Sequence, residues 1–143
     1  MNALGTEDNK KIVRRFVEEF KNKANHNIVD ELFTPDPAIH FPIPGLPPGR
    51  DALKQLGPLV VMAFPDVHVT VEDLIAEGDK VVERTAAGGT HKGEFYGIPA
   101  TGKQITWTEI HIYRLKDGKI TELWSQIDLL GLLTQLGAFP ASK

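Results

Sequence analysis

The sequence predicts an α+β domain, with helices first and then an antiparallel run of strands whose concave side the helices cover around an internal pocket. Three observations predict it. Apolar residues recur at helical spacing near the start, at Ile12, Val13, Phe16, Val17 and Phe20. From Asp66 the pattern changes to strict alternation, with Val67, Val69 and Val71 set against His68, Thr70 and Glu72. Two long apolar-alternating runs, Gln104–Leu115 and Lys119–Ile127, then flank an Asp117-Gly118 turn signal.

The elements follow in order. Thr6 or Asp8 can cap the first helix, whose other face is filled by Lys, Arg and Glu. The polar stretch Asn22–Asn27 breaks it. Ile28, Val29, Leu32 and Phe33 give a short second helix, stopped by Pro35 and Pro37. Ala38–Phe41 reads as a short strand and Pro42–Gly49 as a stiff loop. A third helix begins near Arg50 and ends near Phe64-Pro65; Pro58 within it predicts a kink or two shorter helices. After the first β run, Glu77-Gly78-Asp79 turns the chain into a strand over Lys80–Thr90. His91–Thr101 is a Gly- and Pro-containing loop or irregular strand. Leu129–Leu136 is a terminal helix with Gly137 at its C′ position.

The bulk numbers narrow the function. The 143 residues are 41% hydrophobic and 24% charged, which fits one domain, residues 1–143, able to bury a core. There is no cysteine, so neither a disulfide framework nor thiolate chemistry is available. A net charge of −3 argues against a nucleic-acid partner, which would want a basic face. The first residues carry acids and no apolar run of secretory type, and no run approaches a membrane span. The expectation is a cytoplasmic protein with a small-molecule or protein partner. No His/Asp/Glu spacing resembles a metal site, and no Gly-rich segment lies between a strand and a helix as phosphate binding would need. Neither a metal nor a cofactor is expected.

The hairpin register decides which side chains meet. A two-residue Asp117-Gly118 turn would pair Lys116 with Lys119 and set His111 opposite Trp124. A three-residue loop with Gly118 left-handed would pair Leu115 with Lys119, and would set His111 opposite Leu123, Glu109 opposite Ser125 and Trp107 opposite Ile127. The second is preferred because it avoids opposing two lysines and because it puts Ser125 beside Glu109 and His111. One face then carries Trp107, Glu109, His111, Tyr113, Leu123, Ser125 and Ile127, and is assigned to the pocket. The other carries Ile110, Ile112, Trp124 and Gln126, too apolar for open solvent. A homodimer through Ile110, Ile112 and Trp124 is expected. Glu109 and His111 are the candidate catalytic pair: burial in an apolar cavity raises a carboxylate and a charged imidazole nearby lowers it, and such a pair can move protons near neutral pH. His40 is a further pocket candidate. His91 reads as shaping a loop, and His26 and His68 as surface residues. Asp128 precedes Leu129-Leu130-Gly131 and reads as the cap of the last helix; in the two-residue register it would face the pocket instead.

Four stretches, in this order, resemble the SnoaL-like polyketide cyclases (ester cyclases) of the nuclear transport factor 2-like superfamily. They are His40–Arg50 (H-F-P-I-P-G-L-P-P-G-R), Phe64–Val67 (F-P-D-V), Gly89–Lys103 (G-T-H-K-G-E-F-Y-G-I-P-A-T-G-K) and Arg114–Gly137. The resemblance implies a cone with an internal pocket and cofactor-free acid–base chemistry on an apolar carbonyl compound. In such chemistry a proton is removed beside a carbonyl and the enolate closes a ring by aldol attack; related architectures isomerise. The family usually has a catalytic Asp after the Trp of E-x-W, where this chain has Ser125. Glu109 would then take the base role, with His111 orienting or relaying and Ser125 as hydrogen-bonding neighbour. Trp107, Tyr113, Leu123, Ile127 and His40 would line the substrate. Loss of the Asp leaves a second expectation open, a non-catalytic binder of a small hydrophobic ligand, and a third, a plain dimeric structural domain.

Overall fold

The computed structural model describes residues 5–138. Helix α1 (Thr6–Phe16) is capped by Gly5, with no side-chain cap from Thr6 or Asp8. It continues into a π-helical turn, Val17–Asn22, whose wider i→i+5 winding accompanies the placing of both Phe20 and Lys21 at the cavity. Ala24, at φ 56°, lies in the polar break expected there. A 3₁₀ turn (His26–Ile28) leads into the short α2 (Val29–Leu32).

Strand β1 (Phe33–His40) starts earlier than the sequence suggests. It lies at the sheet edge and pairs with β5 in parallel, with its register interrupted between Phe33 and Ala38. Pro35 and Pro37 fall in that interruption; lacking N–H donors, they are tolerated only at an edge. The sheet is therefore mixed: antiparallel from β2 to β5, with one parallel edge. Helix α3 (Arg50–Ala63) is a single helix with Pro58 inside it, not two. Arg50 fastens its start to the strand edge by donating from Nε to the Thr34 carbonyl (2.9 Å) and from Nη2 to the Phe33 carbonyl (2.6 Å).

Strands β2 (His68–Glu77), β3 (Lys80–Thr90), β4 (Gln104–Lys116) and β5 (Lys119–Ile127) complete a curved, unclosed sheet in the order β1-β5-β4-β3-β2. Helix α4 (Leu129–Gln135) closes one end. His91 does shape the loop before β4: its Nδ1 bonds the Thr101 hydroxyl (2.9 Å), and its amide donates to the Lys103 carbonyl (2.9 Å).

The β4–β5 hairpin corrects the register. Asp117 and Gly118 form a two-residue turn with φ of 51° and 79°, and Lys116 does pair with Lys119. One step further Leu115 pairs with Ile120, and then Thr121 bulges out so that Arg114 meets Glu122. The two-residue turn wins because its backbone twist matches that of the strands. The opposed lysines are solvent-exposed, where water screens them. The bulge adds one residue and so flips the alternation back. Beyond it His111 lies opposite Ser125, Tyr113 opposite Leu123 and Glu109 opposite Ile127. The pairs differ from those expected, yet the faces are as expected.

Candidate active site

The concave side of the sheet and the helices enclose a cavity of about 100 Å³. Its walls draw on two apolar clusters. One is built on Phe16, Phe20, Leu53 and Leu123, the other on Phe64, Val69, Trp107 and Leu132. Phe41 and Ile43 from the proline-rich loop and Phe95 from the loop before β4 add to the rim. Of the residues assigned to the pocket from sequence, Trp107, Glu109, His111, Tyr113, Leu123, Ser125 and Ile127 all line it.

His40 does not. Alternation along β1 turns Ile39 to the core and His40 outward. There its Nε2 meets Glu122 Oε2 at 2.7 Å and its ring stacks on Trp124, with centroids 5.5 Å apart. His26 departs the other way. Read as a surface residue, it lines the cavity, with its ring edge-on to Phe20 and packed where Gly57 leaves room for it.

The polar side chains of the cavity gather on β4 and β5, with Lys21 reaching them from the helical layer. Glu109 is held from three directions: the Trp107 indole donates to Oε2 at 2.7 Å, His111 Nε2 lies 2.7 Å from Oε1, and Lys21 Nζ lies 3.4 Å from Oε1. The other imidazole nitrogen, Nδ1, is 2.8 Å from Ser125 Oγ. Behind them Glu83, fully buried, accepts from the Tyr113 hydroxyl (2.5 Å), from Lys21 Nζ (3.1 Å) and from Thr85 Oγ1.

These contacts set the charges. Burial pushes the Glu109 pKa up, but Lys21, His111 and Trp107 more than offset it, so the carboxyl is held well below the usual carboxylate range. Glu83 follows the same pattern: burial raises it, and Lys21, His111, Thr85 and Tyr113 bring it below its ordinary value. Burial works to lower Lys21, yet the two carboxylates leave it raised. The Tyr113 hydroxyl is pushed well above its usual value, first by burial and then by the Glu83 charge, so it serves as a donor. Burial is the largest single influence on Glu109, but Lys21, His111 and Trp107 together exceed it, so of the two opposed effects expected from the sequence the lowering one prevails.

Sequence reasoning missed Lys21 and Glu83. Lys21 follows Phe20 and lies four residues after Val17, so it continues the apolar stripe that α1 presents. Glu83 shares the parity of Val81 and Ala87 along β3, both buried. Those positions were the available signals. Asp128 is the N-cap of α4, with its Oδ1 accepting from the Gly131 amide at 2.9 Å, and it does not line the cavity.

A curved α+β sheet whose concave face is covered by helices around a largely apolar cavity is a fold of the nuclear transport factor 2-like type. Residues 11–136 match the family model for the SnoaL-like polyketide cyclases, and the chain belongs to that family. Its relatives include the aklanonic acid methyl ester cyclase DnrD of Streptomyces peucetius, 29% identical over 131 residues, which are 88% of either chain. The nogalonic acid methyl ester cyclase of Streptomyces nogalater is 32% identical over 122 residues, covering 81% of this chain and 88% of its own. Among solved structures, TsrD from Streptomyces laurentii superposes with a TM-score of 0.85 at 29% identity, covering 95% of this chain and 99% of its own.

Proposed function

We propose that the protein is a cofactor-independent proton-transfer enzyme that closes a ring, by intramolecular aldol attack, in an apolar polyketide-type carbonyl compound. One observation carries this reading: a largely apolar cavity holds the hydrogen-bonded chain Glu109–His111–Ser125 in its wall, with Lys21 beside it. Glu109, with its pKa depressed, is a weak base and suits the role of anchor. His111 is the better base. With Nε2–H donated to Glu109, its Nδ1 carries the accepting lone pair. Rotation of the Ser125 hydroxyl uncovers that nitrogen to a substrate C–H held next to a carbonyl. The proton passes to Nδ1, the enolate carbon attacks a second carbonyl carbon, and the new alkoxide takes the proton back. The apolar walls support a ring-bearing substrate, held by Trp107, Tyr113, Leu123 and Ile127.

The test is solvent deuterium exchange into an aryl 1,3-diketone, followed by NMR. Wild-type protein should accelerate exchange, and His111→Gln should lower the rate about 10²–10⁴-fold. Equal rates for the two proteins would overturn the base assignment. A second reading, a non-catalytic binder, is favoured by the hydroxyl at position 125, where the resemblance to the family implies a carboxylate. Saturable binding of an aromatic polyketide with no exchange above background would establish that reading instead.

We also propose that the outer face of the sheet, with Ile110, Ile112 and Trp124, joins two copies of the chain.

A further inference from the structure

The ring-closing chemistry needs a base and an anchor. It gives no work to the Ser125 hydroxyl, which nevertheless occupies the most directed position in the cavity. Three buried groups stand in a line. Glu109 Oε1 lies 2.7 Å from His111 Nε2, and His111 Nδ1 lies 2.8 Å from Ser125 Oγ. Their exposures are 9%, 3% and 2%.

The direction of each bond follows from the donors available. The Glu109 carboxylate can only accept, so Nε2 carries the hydrogen it receives. A neutral imidazole then has its lone pair on Nδ1, and Ser125 must be the donor to it. Glu109 in turn cannot swing away. The Trp107 indole holds its other oxygen at 2.7 Å, and Lys21 approaches Oε1 at 3.4 Å. His111 and Ser125 sit opposite each other in the β4–β5 ladder, so the backbone fixes their separation. A hydroxyl donating to an imidazole that a buried carboxylate orients is the arrangement by which acyl-transfer enzymes of unrelated folds activate serine. Here the ring is used in the opposite sense, with Nδ1 toward the hydroxyl.

We propose that Ser125 is a nucleophile and that the cavity supports acyl transfer from apolar esters, an activity additional to ring closure and not resting on it. In the first half Oγ attacks the ester carbonyl carbon while its proton passes to His111 Nδ1. The C–O bond to the alcohol then breaks, and the departing oxygen takes that proton from Nδ1. The products of this half are an acyl group on Ser125 and the free alcohol. In the second half water attacks the acyl carbon, giving its proton to Nδ1. The Ser125 Oγ–C bond breaks, and Oγ recovers the proton as the carboxylic acid leaves. Glu109 stays ionised throughout and stabilises the imidazolium that forms in each half. The lining of Phe16, Phe20, Leu53, Phe64 and Leu123 selects a hydrophobic acyl group or an aryl alcohol.

The experiment uses the full chain and two probes, an alkyl fluorophosphonate and p-nitrophenyl butyrate. The sequence makes the first probe simple to interpret, because it holds no cysteine and only one other serine, Ser142. Peptide mass mapping should place a single phosphonyl adduct on Ser125. p-Nitrophenol release should show a burst, and Ser125→Ala should remove both adduct and burst. His111→Gln should slow adduct formation about 10²–10⁴-fold. Glu109→Gln should slow it too, with a changed pH profile, because the imidazole loses the carboxylate that fixes its tautomer. Ser125→Cys provides a variant of nearly the same shape; its thiol should react with iodoacetamide faster than it does in the Ser125→Cys/His111→Gln protein. An unmodified Ser125 in folded wild-type protein would overturn the proposal, as would ester hydrolysis equal in wild type and Ser125→Ala. Deuterium exchange into the diketone is read separately, so ring-closure chemistry can fail while this proposal stands, and the reverse.

Discussion

Lys21 is the residue on which the buried charges depend. It neutralises part of two carboxylates, Glu83 and Glu109, whose side chains are 0% and 10% exposed. Removing one partner of a buried pair leaves a charge uncompensated, so Lys21→Met should cost roughly 3–5 kcal/mol in urea unfolding. The pH dependence should change sign as well. In the native chain both carboxyls are depressed in the folded state. Their contribution is therefore complete above the ordinary carboxylate value of about 4.3 and is lost as the pH falls through the folded values. Lys21 is raised, so its contribution is complete below about 10.4 and is lost as the pH climbs past its folded value. In Lys21→Met the two carboxylates face burial and each other, and their folded pKa values rise. That variant should gain stability between pH 7 and pH 5, where the native chain gains none. Glu109, His111 and Ser125 were legible in the sequence because alternation along two long strands assigns faces by parity. Lys21 and Glu83 were not. A lysine at the end of an amphipathic helix reads as solvated, and Glu83 stands in a run, Val81-Val82-Glu83, that offers an apolar residue to either face. Nothing local announces a pair separated by 62 residues.

At the scale of elements, the bulge at Thr121 decides what β5 presents to the cavity. Without it the two-residue turn would carry Trp124 inward and Ser125 outward, because a one-residue slip exchanges faces. Deleting Thr121 should therefore abolish diketone exchange and lower the melting temperature, which assay and calorimetry can follow together; a deletion variant with native activity would mean that the register re-forms elsewhere. The sequence offered two turns and two criteria, the repulsion of two lysines and the placing of Ser125 beside Glu109 and His111. The first was too weak, since exposed like charges cost little beside a turn whose twist suits its strands; the second is met by the bulge and not by the turn. The bulge itself has no residue signature, for its Thr121 differs little from an ordinary strand threonine; its hydroxyl donates to the Arg114 carbonyl at 3.2 Å. The cap of α4 was readable, because an Asp three residues before a free amide is a local signal. Asp128→Ala should cost about 1 kcal/mol of stability while leaving exchange activity intact. Loss of activity at an unchanged melting temperature would give Asp128 a chemical role.

For the whole molecule, the order of elements and the covering of one sheet face were both readable, since each rests on long periodic segments. The parallel edge strand was not, because its partner lies at the other end of the sequence. The outer face bears on assembly. Ile110 is 48% exposed, and the Trp124 indole is flanked by His40, Arg114 and Lys80. If two copies meet there, Trp124→Glu should shift sedimentation toward the monomer without unfolding the chain, and a wild-type monomer at micromolar concentration would remove the dimer. The ion pairs that span the cavity carry a consequence for how the protein is made. Lys21 has its partners 62 and 88 residues downstream, on β3 and β4. A ribosome therefore extrudes α1 and the π-helical turn that follows it, with Val13, Phe16 and Phe20 uncovered, long before the strands that will cover them exist. Until Glu109 has emerged, that apolar stripe has no finished sheet to cover it, and through that interval the order of the elements leaves the nascent chain open to aggregation.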